Sequence, residues 1–386
     1  MAGFLPGRPF GVYVHFPFCS HLCPYCDFAV TVRRDPPHER YRDAILTELR
    51  ARRQEIPEGH LQSIYFGGGT PGLWRPDCLL TVVDEIRDSW PTTCPVEITL
   101  EANPEHVDRS LLQQWRQIGI NRLSLGVQSF KEEVLKGLGR AHSGARAREV
   151  VREAHMAGFP HVSVDLIFAA PGQNREDFQQ DLEVVTSLPG LDHVSLYQLT
   201  IEPHTVFGRE VRRGRMAQVD DELGADCYED AEQHLATAGF HHYEVSNWAR
   251  PGGESRHNRL YWTGAEYLGL GVGAHSLRFE GGQAKRRANA RTLRIWQEDP
   301  AAGGGETEGV PERTFLGERL MTGLRTPSGV NLTELQATLD LDVDGEVGEV
   351  LRQLVEEGLL IREGESIKVT QRGMRLGDLV AERVLA

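Results

Sequence analysis

Long apolar runs are missing from this chain of 386 residues. A helix that crosses a membrane needs roughly 18 or more consecutive apolar residues, and no segment approaches that length. The first residues, MAGFLPGRPFGVYVHFPFC, also lack the basic flank, apolar block and small-residue cleavage site of a secretory signal. We therefore expect a cytoplasmic protein without a transmembrane segment.

Positive charge is in deficit, and lysine is especially scarce. The 42 lysines and arginines are outnumbered by 56 acidic residues, which gives a formal net charge of −14. Such a chain repels the phosphate backbone of nucleic acids at long range, so we expect no nucleic-acid partner. Hydrophobic residues at 40% and charged residues at 25% are ordinary for a globular protein and exclude a disordered or fibrous one.

Residues 11 to about 200 repeat one pattern, in which a short β-rich apolar run leads through a Gly, Pro or Asn break into an amphipathic helix. The predicted strands are Gly11–Pro17, Ser63–Gly67, Val96–Ala102, Arg122–Gln128, His161–Phe168 and His193–Leu199. The predicted helices are Glu39–Gln54, Pro76–Ser89, Arg109–Ile118, Gly144–Ala157 and Arg175–Thr186. This alternation predicts an α/β fold, either a doubly wound sheet or a barrel, with its chemistry at the carboxyl ends of parallel strands.

The pattern stops after residue 205, which predicts three units at 1–205, 206–310 and 311–386. The middle unit begins with an acidic helix over Asp220–Ala238. The last unit resembles a winged helix, with helices at Leu332–Leu339 and Gly345–Glu357 and two short strands. Its second helix carries four glutamates and one arginine, which favours a structural or protein-docking use over DNA binding.

Three of the six cysteines, Cys19, Cys23 and Cys26, form a C-x3-C-x2-C pattern directly after the first predicted strand. A reducing compartment disfavours structural disulfides, which leaves metal binding or thiol chemistry. A zinc site would need His15 or His21 as a fourth ligand, and neither has a usual spacing. The CPYC part resembles a glutaredoxin dithiol but leaves Cys19 without a role. Three thiolates can instead hold three irons of a [4Fe–4S] cube and leave the fourth iron open to another ligand.

The cysteine loop and the GGGTP segment after the second strand together resemble the radical S-adenosylmethionine (SAM) superfamily. This resemblance implies a partial (β/α)6 barrel, a [4Fe–4S] cluster on the three cysteines, SAM on the open iron and a one-electron reductant as partner. Gly68, Gly69 and Thr70 would lie against the methionine end of SAM, because glycine lets backbone groups approach a ligand closely. Whether SAM is cleaved, and hence whether the protein is an enzyme, stays open.

The order of further motifs resembles one branch of that superfamily, which contains oxygen-independent coproporphyrinogen III oxidase and the HemW-type haem chaperones. The motifs are YVHFPFC, FGGGTP, EANPE, NRLSLGVQSF, VDLIFAAPGQ and HNRLYW, and they span residues 11 to roughly 275. For the fold, the resemblance implies a partial (β/α)6 radical SAM barrel with a C-terminal α+β extension and a winged-helix-like module.

By the same resemblance, Glu101 would receive the amino group of SAM, and Gln128 and Asp165 would bond its ribose. Arg140 would lie near its carboxylate. These roles are chemically sensible, since an acid opposes an ammonium group and amide or carboxylate oxygens accept from hydroxyls. Tyr13 would pack over the cluster, or is simply an aromatic residue of the first strand.

Position 28 distinguishes the two kinds of relative. The oxidases carry a further cysteine two residues after the third cluster cysteine, whereas this chain has Phe28, which can neither ligate a metal nor transfer a proton. HNRLYW resembles the haem-binding segment of the chaperones, with His257 as candidate haem ligand and aromatic neighbours for the macrocycle.

These features predict a protein that binds SAM and a [4Fe–4S] cluster, carries haem and transfers it to client haemoproteins such as respiratory enzymes. The alternatives are oxidative decarboxylation of coproporphyrinogen III, which Phe28 disfavours, and thiol exchange of the glutaredoxin type. A homodimer is left open.

Overall fold

A twelve-stranded sheet forms the centre of the protein, whose computed structural model describes residues 8–339 and 341–386. The strands of the first half are β1 (Pro9–Phe16), β2 (Phe18–Cys19), β3 (Thr31–Val32), β4 (His60–Gly68), β5 (Glu97–Ala102), β6 (Arg122–Gln128), β7 (His161–Phe168) and β8 (His193–Gln198). β1 and β4 to β8 are neighbours in that order and pair in parallel. All six predicted strands are confirmed, and their carboxyl ends meet at one end of the sheet.

Helices cover the outer face of these strands. They are α1 (His38–Arg52), α2 (Pro76–Ser89), α3 (Arg109–Ile118), α4 (Glu132–Gly137), α5 (Gly144–Met156) and α6 (Arg175–Ser187), with single 3-10 turns at Arg53–Glu55, Pro71–Leu73 and Pro104–His106. In α3 the Asp108 side chain caps the first turn, and Gly119 ends the helix with a φ of 97°. Leu112, Trp115 and Ile118 recur at helical spacing and face the core.

The segment after β8 adds strands to both edges of the same sheet. It contains strands β9 (His241–Glu244), β10 (Asn247–Ala249), β11 (Glu266–Leu270), β12 (His275–Glu280), β13 (Gln283–Ala288) and β14 (Glu306–Gly309) and helices α7 (Val206–Arg212), α8 (Asp221–Thr237), α9 (Arg256–Thr263) and α10 (Leu293–Glu298). β11 runs parallel to β1, and β10 runs antiparallel to β8. Residues on both sides of position 205 therefore share one sheet, and the boundary predicted there stays a prediction.

A buried ion pair ties α1 to this second segment. Arg52 Nη1 lies 2.7 Å from Glu48 Oε1, and both side chains are almost completely buried. Glu48 also accepts hydrogen bonds from the Trp296 indole and the Asn289 amide, at 2.9 and 2.6 Å. Arg52 donates to the carbonyl of Gly269 at 2.7 Å. Arg52 also pairs with Glu55, its Nε lying 2.9 Å from Glu55 Oε1. Removal of Arg52 would therefore leave the buried Glu48 without its cation, whereas removal of Glu48 would leave Arg52 paired with Glu55.

The last part of the chain, the C-terminal unit, packs around an apolar core that also includes Ala284 of β13. Its elements are helices α11 (Glu312–Gly323), α12 (Leu332–Thr338), α13 (Val343–Glu356), α14 (Gln371–Arg375) and α15 (Gly377–Leu385) and strands β15 (Val330–Asn331), β16 (Leu360–Glu363) and β17 (Ser366–Val369). The helix, helix and hairpin order predicted for this unit is confirmed, as is the α/β class of the whole chain. Within the described residues, no helix has both the length and the apolar character needed to span a membrane.

Candidate cofactor site at the carboxyl ends of the strands

The three clustered cysteines lie in the loop that leaves the carboxyl end of β1. Cys19 ends the short strand β2, and a hydrogen bond of 3.1 Å from the Cys26 amide to the Cys23 carbonyl closes the turn that follows. All three thiols are free and half-buried. The local chain therefore presents three sulfur ligands from one short loop, as the spacing predicted.

Two polar side chains from other elements reach these sulfurs. The Thr70 hydroxyl donates to Cys19 Sγ at 3.5 Å, and Arg140 Nη1 donates to Cys23 Sγ at 3.4 Å. Burial raises the pKa of Cys19 to about 11 and also raises that of Cys26. A buried thiol of this pKa is protonated at neutral pH, so a bound metal has to displace the protons.

The glycine segment at the carboxyl end of β4 packs directly against the end of β1, which leads into the cysteine loop. Gly68 has a φ of 111°, and a Cβ atom there would come within 2.4 Å of the His15 ring. That ring is held in place, because its Nε2 lies 3.1 Å from the Ala29 carbonyl. The Gly69 amide donates to the Phe16 carbonyl at 2.8 Å. Larger side chains would push the two segments apart, so the glycines are needed for this close approach.

Glu101, Gln128 and Asp165 lie on the neighbouring strands β5, β6 and β7 and are all half-buried. Glu101 accepts hydrogen bonds from the Tyr65 hydroxyl at 2.7 Å and from the Gly68 amide at 3.1 Å. Burial raises the pKa of Glu101 from 4.5 to about 7, since it penalises the charged form more than the hydrogen bonds favour it. The acid predicted to meet an ammonium group therefore lies beside the glycine segment.

Asp165 and Gln128, the other two of these three residues, differ in their local environment. Asp165 accepts from the Ser124 hydroxyl at 3.3 Å, and burial raises its pKa to about 6. Gln128 has a φ of 68° at an irregularity in the pairing of β6 with β7. Such a conformation costs about 1–3 kcal/mol for a residue other than glycine and is concentrated at functional sites.

Arg140 contacts the cysteine loop and the strand ends at once. Its Nη2 donates to Asn103 Oδ1 at 2.7 Å and to the Gly126 carbonyl at 2.8 Å, while its Nη1 reaches Cys23. Asn103 and Gly126 were not predicted as site residues. The EANP and SLGVQSF segments mark the carboxyl ends of β5 and β6, but the sequence does not reveal which polar group there turns toward the site.

Aromatic side chains fill the space between the strands below this site. The Tyr13 and Tyr65 rings lie 6.0 Å apart, and the Tyr65 and His257 rings lie 5.0 Å apart. His257 is 1% exposed, with Nδ1 2.8 Å from the Ser63 hydroxyl and Nε2 2.8 Å from the Tyr261 hydroxyl. Burial lowers the pKa of His257 to about 3. Both ring nitrogens have partners, so an iron could reach this residue only after one of these bonds breaks.

A buried carboxylate, which was not predicted from the sequence, holds the helix that carries His257. Glu97 accepts from the backbone amides of Arg256 and His257 at 3.1 and 3.0 Å, at the N-terminus of α9. Arg122 Nε donates to the same carboxylate at 3.1 Å. This ion pair fixes α9 against β5 and β6.

Phe28 and the spacing of the candidate ligands indicate whether the cysteine loop suits a single metal ion or an iron–sulfur cluster. Phe28 is 67% exposed beside the cysteine loop and supplies no ligand atom. Among the described residues, no three His, Cys, Asp or Glu side chains are grouped to hold a single ion. A [4Fe–4S] cube does not require such grouping, because each thiolate binds a different iron. The half-buried thiols, their two hydrogen-bond donors and the adjoining glycines suit such a cube.

Comparison with known proteins agrees with this geometry. Residues 13–185 match the Radical SAM superfamily, and residues 310–376 match the HemN C-terminal domain. The chain is 34% identical to the haem chaperone HemW of Lactococcus lactis over 98% of both chains, and 36% identical to that of Mycobacterium tuberculosis H37Rv over 99% of this chain and 96% of the relative. Coproporphyrinogen III oxidase HemN of Escherichia coli shares the fold, with a TM-score of 0.83 at 22% identity over 98% of this chain and 91% of HemN. The chain therefore belongs to the radical SAM superfamily and, within it, to the HemW family.

Proposed function

We propose that the protein is a haem chaperone that holds a [4Fe–4S] cluster and SAM at the carboxyl ends of its strands and delivers haem to client haemoproteins. The observation that carries the cofactor part is the meeting of the cysteine loop, the glycine segment and Glu101 at one end of the sheet. The relatives named haem chaperones, which align over almost the whole chain, support the haem part.

In this proposal, Cys19, Cys23 and Cys26 each bind one iron. When bound, the cluster supplies one-electron chemistry to the sulfonium of SAM. Arg140 and Thr70 donate to two of the sulfurs, and such hydrogen bonds and the half-buried position tune the potential of a cluster.

The residues around the open corner fit the parts of SAM. Gly68 and Gly69 bring the glycine segment close to the cysteine loop, where its backbone would face the methionine end, and Glu101 offers its carboxylate to the ammonium group. Gln128 and Asp165 accept from the ribose hydroxyls. Arg140 has the charge to meet the SAM carboxylate, and it already links the cysteine loop to β6 through the Gly126 carbonyl.

The cluster is tested by anaerobic reconstitution followed by absorbance and by iron and sulfide analysis. We expect a brown protein, and a Cys19→Ser variant that loses the cluster absorbance. Cys94→Ser is the matched control, because Cys94 is exposed and lies outside the cysteine loop. Zinc in place of iron, or a colourless protein with a dispensable Cys19, would overturn the proposal in favour of a zinc site or thiol exchange.

Haem carriage is tested by titration of the reconstituted protein with haem, followed by transfer to an apo-haemoprotein such as a respiratory enzyme. As proposed from the HNRLYW segment, His257→Ala should weaken haem uptake and leave iron and sulfide content intact. His257→Gln is measured beside it, because Ala also empties a fully buried position. Unchanged haem affinity in both variants would place the ligand elsewhere.

The runner-up function is anaerobic oxidation of coproporphyrinogen III, which the similarity to the HemN fold favours. The exposed Phe28 in place of a cysteine opposes it. Reduced, reconstituted protein should give no protoporphyrinogen from coproporphyrinogen and SAM. Appearance of that product would replace our proposal with the oxidase.

A further inference from the structure

A second cavity lies at the opposite end of the barrel from the cysteine loop. It has a volume of about 520 Å³, is partly open to solvent, and is lined by residues of α9, α11 and the first residues of the C-terminal unit. Arg8, which precedes β1, and Gly264, which precedes β11, both line it, so it faces the amino ends of these parallel strands. None of the SAM-site residues takes part in it.

Helix α9 presents different residues to this cavity and to the lumen, the space between the barrel strands that the Tyr13, Tyr65 and His257 rings fill. His257 and Tyr261, one turn apart, hydrogen-bond to each other within the lumen. Arg259 and Trp262, three residues apart and hence also neighbours on a helix, line the cavity. The HNRLYW segment therefore contributes to two places, and the sequence alone drew attention to its histidine.

Arg319 of α11 is the main charged group at this cavity. It packs on Gly264, where a Cβ atom would come within 2.4 Å of Arg319 Cδ. Its Nη1 donates to the Trp262 carbonyl and to the Thr322 hydroxyl, both at 3.0 Å. In the described parts of the chain, its Nε and Nη2 have no hydrogen-bond partner and no carboxylate pairs with it. One nitrogen thus caps the end of α9, and the other two are left for a ligand.

The surroundings of Arg319 leave its charge uncompensated. Burial lowers its pKa to about 10, with no acidic neighbour to oppose the shift. Arg259, which is exposed, also has no ion pair or side-chain hydrogen bond within the described residues. Glu254 and Glu334 line the cavity but form no ion pair with either arginine. A partly buried cation without a counter-charge is costly, and an anionic ligand would remove that cost.

Aromatic side chains complete the cavity wall, among them Trp262, Tyr243 and Phe315. Flat aromatic faces beside two cations suit a planar, apolar molecule with acidic groups at its edge. We propose that this cavity is the haem site, with Arg319 and Arg259 binding the two haem carboxylates. This inference rests on the proposed haem carriage and names the residues that perform it. His257 does not line the cavity, so in this arrangement it acts on haem through the position of α9, which it shares with Arg259 and Trp262, and not as an iron ligand.

The test is a haem titration of the full-length, cluster-reconstituted protein. Arg319→Met and Arg259→Ala should each weaken haem binding by about tenfold or more, since each removes a charge-assisted hydrogen bond. Arg313→Met on the same helix is the control, because Arg313 pairs with Glu346 at 3.1 Å and does not line the cavity. Haem dimethyl ester, which lacks the carboxylate charges, should bind the wild type about as weakly as haem binds the variants.

The outcomes separate this inference from the proposed function. Tight haem binding by the wild type that neither variant weakens would overturn the site and leave haem carriage standing. No haem binding by the wild type would overturn both. A loss in Arg319→Met alone, with Arg259→Ala unchanged and the ester bound as tightly as haem, would mean only that the end of α9 was disturbed, and would also overturn the site.

Discussion

The position of Glu101 predicts that SAM binding depends on pH in the neutral range. Burial raises the pKa of this carboxyl group from 4.5 to about 7, while its partners are the Tyr65 hydroxyl and the Gly68 amide. Only the carboxylate form attracts an ammonium group. The SAM affinity should therefore rise as the pH passes upward through about 7, and the titrating group is the one beside the glycine segment.

The size of the effect follows from the fraction of Glu101 that is ionised. With a pKa of about 7, roughly a tenth of the group is ionised at pH 6 and roughly nine tenths at pH 8. If SAM binds only to the ionised form, the affinity for SAM should fall about tenfold when the pH is lowered from 8 to 6. Asp165, with a pKa of about 6, would add a factor of about two, because half of it is protonated at pH 6.

The raised pKa of Glu101 also makes the stability of the folded protein depend on pH. The pKa of Glu101 is higher in the folded than in the unfolded chain, so the folded state retains a proton between about pH 4.5 and 7. The unliganded protein should therefore lose stability as the pH rises through this window. A bound ammonium group lowers the pKa again, so added SAM should reduce this loss.

The assay is equilibrium dialysis of labelled SAM against reconstituted protein at several pH values, with cluster content measured by absorbance at each point. Glu101→Gln keeps the shape and removes the titration, so it should bind weakly with little dependence on pH. A wild-type affinity that is constant between pH 6 and 8, with the cluster intact, would refute the role of Glu101. An equal pH dependence in Glu101→Gln would assign the titration to another group.

Three further substitutions test how the site is supported. Arg122→Met should lower the free energy of unfolding in urea by about 3 kcal/mol or more, because it leaves the buried Glu97 without its cation; no loss would show that the amides of α9 suffice. Arg52→Met should cost about 3–5 kcal/mol by leaving the buried Glu48 without its cation, whereas Arg50→Met, at a surface pair with Glu85, should cost at most about 1 kcal/mol; equal losses would contradict this reasoning. Gly68→Ala should abolish SAM binding in dialysis, since its Cβ would meet the His15 ring, and full binding would show that the segment moves freely.

The barrel strands were predictable because each is a short apolar run that ends in a turn signal. β6, β7, α2 and α3 begin and end at the predicted residues. The strands between residues 240 and 310 were not predicted, because their residues are mixed in polarity and their pairing is set by long-range contacts. β13, for example, carries Lys285, Arg286 and Arg287 in succession, which is not the alternation of polar and apolar residues expected of a strand.

The candidate site likewise contains residues that the sequence predicted and residues that it did not. The cysteines, the glycines, Glu101 and Asp165 were predicted from motifs that resemble those of the radical SAM superfamily, and the structure places them on neighbouring strands and loops of the sheet. The pair of Glu97 with Arg122 was missed, since an ion pair between adjacent strands leaves no spacing signal along the chain. Nor does the sequence show that His257 turns into the lumen while Trp262 of the same segment lines the cavity. That distinction depends on how α9 is rotated against β1 and β4.

The packing of aromatic rings between the barrel strands separates the proposed haem site from the proposed SAM site. Decarboxylation by a SAM-derived radical requires the substrate to lie against SAM. Here Tyr13, Tyr65 and His257 are stacked below Glu101, so their rings occupy the space between the strands. A haem bound at Arg319 would be separated from the SAM site by this column of rings and by α9. The radical chemistry and the haem would then never be in contact, which is the arrangement a chaperone needs to release its cargo unchanged.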